Sequence, residues 1–253
     1  MSALAVKDIT VRFGVLVAVD NVTLSIGTRE LLALIGPNGA GKTTLLNAIS
    51  GFLPLHGGEI FAGATNITGE AAHRRAAFGI KRTFQHAKLA DDLTVLENVL
   101  VGASTAAYPR SLLPEWLHGP SEMANLRMQR DHAVAMLERL GLADLRNVPA
   151  GEISFGRKKL VDLARALITD PDVLLLDEPT AGLSEHEIDK LAELIARIRE
   201  NTALLVVAHH MGFVNKVADR VVCLVAGREI SSGTPDHVQS DPCVLAAYMG
   251  TAA

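Results

Sequence analysis

The 253-residue chain carries only two cysteines, Cys223 and Cys243, in neither a metal-binding spacing nor a disulfide framework, which fits a reducing compartment. It has no long basic run and a formal net charge of −4, so a nucleic-acid surface is disfavoured as its main business. No apolar run approaches the ~18 residues needed to cross a bilayer. Lys7 and Asp8 interrupt the N-terminal apolar residues before a signal-peptide core could form. The expectation is a soluble chain, or one held at a membrane through a partner. Internal repeats and low-complexity segments are missing as well. Apolar residues make up 49% of the chain, enough to bury a parallel sheet, and the length suits one domain or one domain with an inserted subdomain.

The strongest local pattern is Gly36-Pro37-Asn38-Gly39-Ala40-Gly41-Lys42-Thr43, of the form G-x-x-x-x-G-K-T. An apolar run of strand length, Leu31 to Ile35, precedes it. A helical stretch from Thr44 to Ser50 follows, with Leu45, Leu46 and Ile49 on one side. Strand, loop and helix form the context in which such a loop binds phosphate. Glycines let successive backbone N–H groups point inward, and the helix N-terminus adds partial positive charge. Lys42 is expected to reach the β- and γ-phosphates, and the Thr43 hydroxyl to hold Mg²⁺; Thr44 completes the nucleotide-binding set.

Along the rest of the chain, Ala3 to Thr10 and Val17 to Ile26 alternate as strands around a turn at Gly14. Glu59-Ile60-Phe61 reads as a short strand, and Gly79 to Phe84 as a strand running out into a loop at Gln85. From Leu89 to about Pro149 the spacing becomes helical, in Leu93–Val101 and Met123–Leu140. Leu126, Ala133, Met136, Leu137 and Leu140 form a stripe on the second helix. Between the two, Tyr108 to Pro120 holds three prolines and the only tryptophan, Trp116, read as packing within an irregular connection, with a surface anchor for a partner as the alternative. A helix at Ser154–Leu167, a buried strand at Val173–Asp177 and an amphipathic helix at Glu185–Arg199 follow. Strands at Ala203–Ala208 and Arg220–Val225 complete the pattern. Strands alternating with helices indicate a mostly parallel sheet covered on both faces.

Asp177 and Glu178 close the Val173 strand. Carboxylates at the C-terminal edge of a parallel strand face the crevice where ligands bind in such sheets. Asp177 can hold Mg²⁺ through water and Glu178 can polarise an attacking water, although an acidic pair also ends ordinary strands.

Glu152-Ile153-Ser154-Phe155-Gly156-Arg157-Lys158-Lys159 lies one helix before that strand, and its Ser-x-Gly core resembles the signature of ATP-binding cassette ATPases. Gln85, the run Pro179 to Ser184 and His209 fall in the order of that family. The resemblance covers the chain from Phe13 to the C-terminus. It implies an α/β fold: a P-loop NTPase (RecA-like) core, an N-terminal antiparallel β-subdomain and an inserted α-helical subdomain. The expected division is 1–88 for the β-subdomain and the first part of the core, 89–152 for the insert, and 153–253 for the signature, the rest of the core and a C-terminal helix. It further implies ATP and Mg²⁺ as ligands, Phe13 stacking on adenine, and Gln85 reaching Mg²⁺ and the attacking water. His209 would contact the γ-phosphate, with His210 a bystander pointing elsewhere. Ser154 and Gly156 would touch the ATP of a second subunit. Two departures stand out: Phe155 and Arg157 replace the Gly and Gln of the common L-S-G-G-Q form, and Gly182-Leu183-Ser184 lacks the usual Asp.

Gly233-Thr234-Pro235 and Ala246 to Gly250 resemble the tail of bacterial cassettes that serve branched-chain amino acid import, and the insertion from Ala103 to Ser121 fits that branch. The resemblance implies an ATPase paired with a second cassette, identical or not, beneath two membrane permease subunits at the cytoplasmic face of the membrane. A separate substrate-binding protein would feed them, and no nucleic acid is involved. A lipopolysaccharide-type exporter cassette, a soluble cassette acting on ribosomes and a non-hydrolysing regulatory cassette are the competing readings. Lys42, Gln85, Glu178 and His209 are all present, which gives no reason to prefer the last.

Overall fold

The structure, a computed structural model, describes residues 2–84, 88–103 and 120–249. Gln85, the connection holding Trp116 and Gly250 therefore lie outside the described residues. The chain divides into two compact units, Met1–Gln85 with Asp172–Ala253, and His86–Pro171.

In the first unit, β1 (Ser2–Phe13) and β2 (Leu16–Gly27) pair antiparallel, and β4 (Gly57–Ala62) and β5 (Thr65–Asn66) extend them into a four-stranded sheet of order β2-β1-β4-β5. β1 runs to Phe13, past the expected end at Thr10, because a bulge resets its alternation. Leu4 and Val6 are buried before it and Ile9 and Val11 after it, with the register shifting between Val6 and Ile9. An extra residue in one strand turns later side chains to the other face unless a second step compensates. Asp8 makes that step with φ 51°, and its N–H donates to Thr23 Oγ1 at 2.8 Å.

The second sheet contains β3 (Leu31–Ile35), β6 (Ile80–Arg82), β7 (Val173–Asp177), β8 (Ala203–Val207), β9 (Arg220–Val225) and β10 (Arg228–Gly233) in the order β10-β9-β3-β8-β7-β6. All neighbours pair parallel except the β9–β10 hairpin. Every residue of β3, β7 and β8 is buried, as continuous aliphatic runs covered on both faces require. Helix α1 (Lys42–Ile49) buries Leu45, Leu46 and Ile49, the residues expected on one side. Helix α2 (Ala72–Ala77) precedes β6; α6 (Glu185–Ile198), α7 (Met211–Val217), α8 (Pro235–Ser240) and α9 (Pro242–Met249) complete this unit. Ser184 caps α6 through a reciprocal capping box with Glu187, so its hydroxyl serves the helix N-terminus.

The second unit holds α3 (Val95–Ala103), α4 (Pro120–Arg139) and α5 (Phe155–Leu167). Ala133, Met136, Leu137 and Leu140 are buried as the stripe predicts, while Leu126 is half-buried. This unit is larger than the expected insert at 89–152, because it takes in α5. At Gly102 a Cβ would lie 2.0 Å from the Arg165 carbonyl oxygen, so α3 and α5 approach to a separation that only glycine permits. Asn98 is 1% exposed and its amide donates to the carbonyls of Ala90, Leu93 and Thr94, which fixes the entry to α3.

Among the described residues no helix is long and apolar enough to cross a membrane.

Candidate nucleotide site

Three neighbouring strands bring the core of the site together. β3, β8 and β7 lie side by side, and their C-terminal ends carry the glycine-rich loop, His209 and the Asp177-Glu178 pair. Parallel strands expose their ligand-binding ends on one edge, so residues far apart in the chain share that edge because the sheet order places them there.

The loop is shaped by backbone contacts. Gly36 adopts φ 143°, and a Cβ there would fall 2.1 Å from the Leu224 carbonyl oxygen. Gly41, at φ 96°, begins α1 without a side-chain cap, and a Cβ there would sit 2.3 Å from the Ala18 carbonyl oxygen. Any side chain at either position meets backbone, so both must be glycine. The Ala40 carbonyl accepts from Gly227 N–H at 3.0 Å, and Asp20 N–H donates to the Gly227 carbonyl at 2.8 Å. Strand β2, which leads back to Phe13, is thereby tied to the loop. Asn38, Gly39 and Thr43 are exposed, Pro37 and Thr44 partly so, and Ala40 is buried.

Lys42 is 6% exposed and folds back over the loop, donating from Nζ to the carbonyls of Gly36 at 2.7 Å and Pro37 at 2.9 Å. Burial lowers its pKa, opposed by the negative charges of Glu178 and Asp177. A charged ammonium held only by neutral carbonyls in a desolvated loop is poised to exchange them for an anion. At the other end of the loop, Gly36 N–H donates to the Tyr248 hydroxyl of α9 at 2.8 Å. Burial raises the Tyr248 pKa, partly offset by that hydrogen bond. Sequence reasoning read Tyr248 only as part of a tail; its bond to Gly36 spans 212 positions, and no local pattern announces it.

Asp177 is buried and its Oδ2 accepts from Arg82 Nη2 at 2.8 Å. Its other oxygen, Oδ1, is buried without a hydrogen-bond partner. Glu178 follows β7 in a left-handed conformation, φ 48°. That strain is held from both sides: Glu178 N–H donates to the Val207 carbonyl at 3.0 Å, and Ala181 N–H to the Glu178 carbonyl at 3.1 Å. The side chain turns to His209, whose Nε2 lies 3.0 Å from Glu178 Oε1. A carboxylate oxygen accepts, so the proton of this bond sits on Nε2.

His210 takes partners other than that of His209, though not by strand alternation. β8 ends at Val207, so period-two alternation no longer governs these positions. His210 Nδ1 accepts from Phe213 N–H at 3.0 Å and caps α7, while Nε2 contacts Glu185 Oε1 at 3.1 Å. Both histidines, with Glu178, Thr180, Leu183 and Glu185, line one cavity of about 320 Å³. Phe13 lies at the β1–β2 turn, paired with Leu16 and 49% exposed, so a ring face is open to a planar ligand. Gln85 lies outside the described residues.

Ser154 and Gly156 belong to the second unit. Ser154 caps α5, its Oγ accepting from Arg157 N–H at 3.4 Å, and remains exposed. The Arg157 guanidinium donates to the Gly141 carbonyl at 2.7 Å, which accounts for where this departure from the common signature puts its charge.

A model of the ABC transporter family matches residues 19–181, and a second, described as a branched-chain amino acid ATP-binding cassette transporter, matches residues 228–253. The chain belongs to the ABC transporter family. It is 39% identical over 251 residues to the high-affinity branched-chain amino acid transport ATP-binding protein LivG of Salmonella typhimurium, covering 98% of each chain. The corresponding protein of Escherichia coli K12 is 38% identical over the same share. Among solved structures, the ADP conformation of an ATP-binding cassette of an ABC transporter superposes with a TM-score of 0.86 at 31% identity, covering 99% of each chain. The α/β cassette fold expected from the motifs is the fold observed. As a cassette of this family the chain binds and hydrolyses ATP to drive a transporter, and it works with a partner cassette and membrane permeases.

Proposed function

We propose that this cassette powers the import of branched-chain amino acids or a related small polar substrate. The observation that carries the reading is the match of residues 228–253 to the branched-chain amino acid cassettes, joined to relatives of that name that align over nearly the whole chain. In this reading the chain sits at the cytoplasmic face of the membrane, held by two permease subunits and paired with a second cassette. A separate binding protein delivers substrate, and nucleic acid has no part.

The residues divide the work as follows. The loop from Gly36 to Thr44 offers N–H groups and the start of α1 to the phosphates, and Lys42 exchanges the Gly36 and Pro37 carbonyls for β- and γ-phosphate oxygens. Phe13 stacks on adenine. Glu178 accepts the proton of the attacking water, and His209, bonded to Oε1 of Glu178, orients that carboxylate beside the γ-phosphate. Thr43, Asp177 and Gln85 hold Mg²⁺; the buried, unpartnered Asp177 Oδ1 suits a cation or its water. When bound, the ion neutralises charge on the β- and γ-phosphates. Ser154 and Gly156 supply the exposed N-terminus of α5 to the γ-phosphate of the partner's ATP, so nucleotide joins the two cassettes and hydrolysis releases them.

The test is uptake of radiolabelled leucine, isoleucine and valine in the native host lacking this gene, complemented with wild type or Glu178→Gln. Wild type restores uptake. Glu178→Gln leaves it lost, with ATP turnover lowered about 100-fold or more and ATP still bound. Normal uptake in the deletion strain would sink the substrate reading, and normal turnover in Glu178→Gln would sink the role of Glu178.

A further inference from the structure

Asp177 is not held by the loop it serves but by a residue of the neighbouring strand. The Arg82 and Asp177 side chains are 6% and 3% exposed. Arg82 Nη2 donates to Asp177 Oδ2 at 2.8 Å, while Nη1 donates to Asn47 Oδ1 at 2.5 Å and Ser50 Oγ at 3.1 Å. The guanidinium also lies against two aromatic rings, its carbon 5.3 Å from the Phe84 centroid and 5.9 Å from that of Phe52. Those rings meet edge to face at 5.7 Å. Asp177 Oδ1 and Arg82 Nε are buried without partners.

A buried ion pair is weak evidence for stability, since an apolar replacement often does as well. This one leaves a carboxylate oxygen unsatisfied, a feature that needs its own explanation. Its connections supply one. Asn47 lies four residues after Thr43 and on the same face of α1. Arg82 therefore grips both elements that carry the expected ion ligands, α1 near Thr43 and the end of β7 at Asp177.

We infer that Arg82 is a positioning residue for the cation bound with the nucleotide: it occupies Asp177 Oδ2, leaves Oδ1 for the ion, and fixes β7 to the helix bearing Thr43. The inference rests on the reading of Asp177 as a holder of that cation. Two nitrogens of one planar fork serve two elements while the charge lies near the Phe52 and Phe84 rings, and an ammonium has no such fork. Its positive charge alone would weaken cation binding. When the fork is lost and the charge kept, a positioning role thus predicts weaker cation binding and a merely neutralising one predicts no change.

The test uses Mn²⁺ as probe, titrated into the full chain with saturating ADP and followed by the electron paramagnetic resonance of free Mn²⁺. Arg82→Lys keeps the charge and loses the fork. It is expected to weaken Mn²⁺ binding about tenfold or more, in the range of outer-shell changes at metal sites, with ADP affinity in EDTA unchanged. In an Asp177→Asn background the same change is expected to add nothing, the mark of action through Asp177. Asn47→Ala, which leaves the ion pair intact, is expected to weaken Mn²⁺ less and in the same direction, and carries the test if Arg82→Lys does not fold. Unchanged or tighter Mn²⁺ binding in Arg82→Lys, or equal weakening with and without Asp177, would overturn the inference while leaving the site standing. Wild-type Mn²⁺ affinity in Asp177→Asn would overturn the reading of the site itself, and the inference with it.

Discussion

The phosphate loop of the first unit and the signature loop of the second both lead into a helix, yet they are built in different ways. The phosphate loop is shaped by close backbone approach at Gly36 and Gly41 and closed by a buried lysine. The signature loop is a plain N-cap, with Ser154 exposed. Three cations follow it, and each has a partner: Arg157 the Gly141 carbonyl, Lys158 Asp91 at 2.9 Å, and Lys159 the Phe155 ring, 5.3 Å from its centroid. A helix N-terminus carries about half a positive charge. With the three cations that follow it already engaged, such a loop is suited to add to an anion already bound. The first loop is suited to hold one itself, and the asymmetry suits a site that is completed only when two chains meet.

The widest difference is expected at Gly36. Gly36→Ala forces a Cβ into the Leu224 carbonyl, which should destabilise the chain by about 3 kcal/mol and abolish ADP binding. Urea denaturation and nucleotide titration check both. Retained binding would mean that the loop is less constrained than its contacts require. Ser154→Ala removes only a cap, at a cost of about 1 kcal/mol visible as a lower melting temperature. Nucleotide affinity of the single chain should stay unchanged while turnover in the paired state falls. A loss of affinity in the single chain would break the distinction between the two loops.

The smallest effect concerns Cys223, which lies beside Leu224 under the phosphate loop. Burial pushes its thiol up to about 11, with Lys42 acting the other way. At pH 8 iodoacetamide should modify the exposed Cys243 and spare Cys223. In Gly36→Ala, Cys223 should become reactive, and mass spectrometry of the modified peptides reads the outcome. The thiol stays neutral in the fold, so the stability tied to it is present below its unfolded value. That stability is lost as pH rises toward 11.

Within the first unit, much was legible because the information is local. The strand, glycine loop and helix around Lys42 occupy fewer than twenty consecutive positions, and their spacing alone carries the anion-binding geometry. The β7 strand, with its carboxylate pair, was legible for the same reason, as were the buried stripes of α1 and α4. Strand ends were less so: the bulge at Asp8 breaks alternation, and a residue with φ 51° leaves no mark in a hydrophobic pattern.

What the sequence determined by itself was the chemistry available and its order along the chain. Those follow from residue types and from periodicities of a few positions. The tertiary structure decided which groups touch: His209 with Glu178 across 31 positions, Arg82 with Asn47 across 35 and with Asp177 across 95, and Gly36 with Tyr248 across 212. Sheet order, with the helices packed on it, brings them together, because an element's neighbours are set by the packing of the whole core and not by its own residues. The assignment of α5 to the helical unit has the same origin, in a glycine of α3 that lets two helices close on each other.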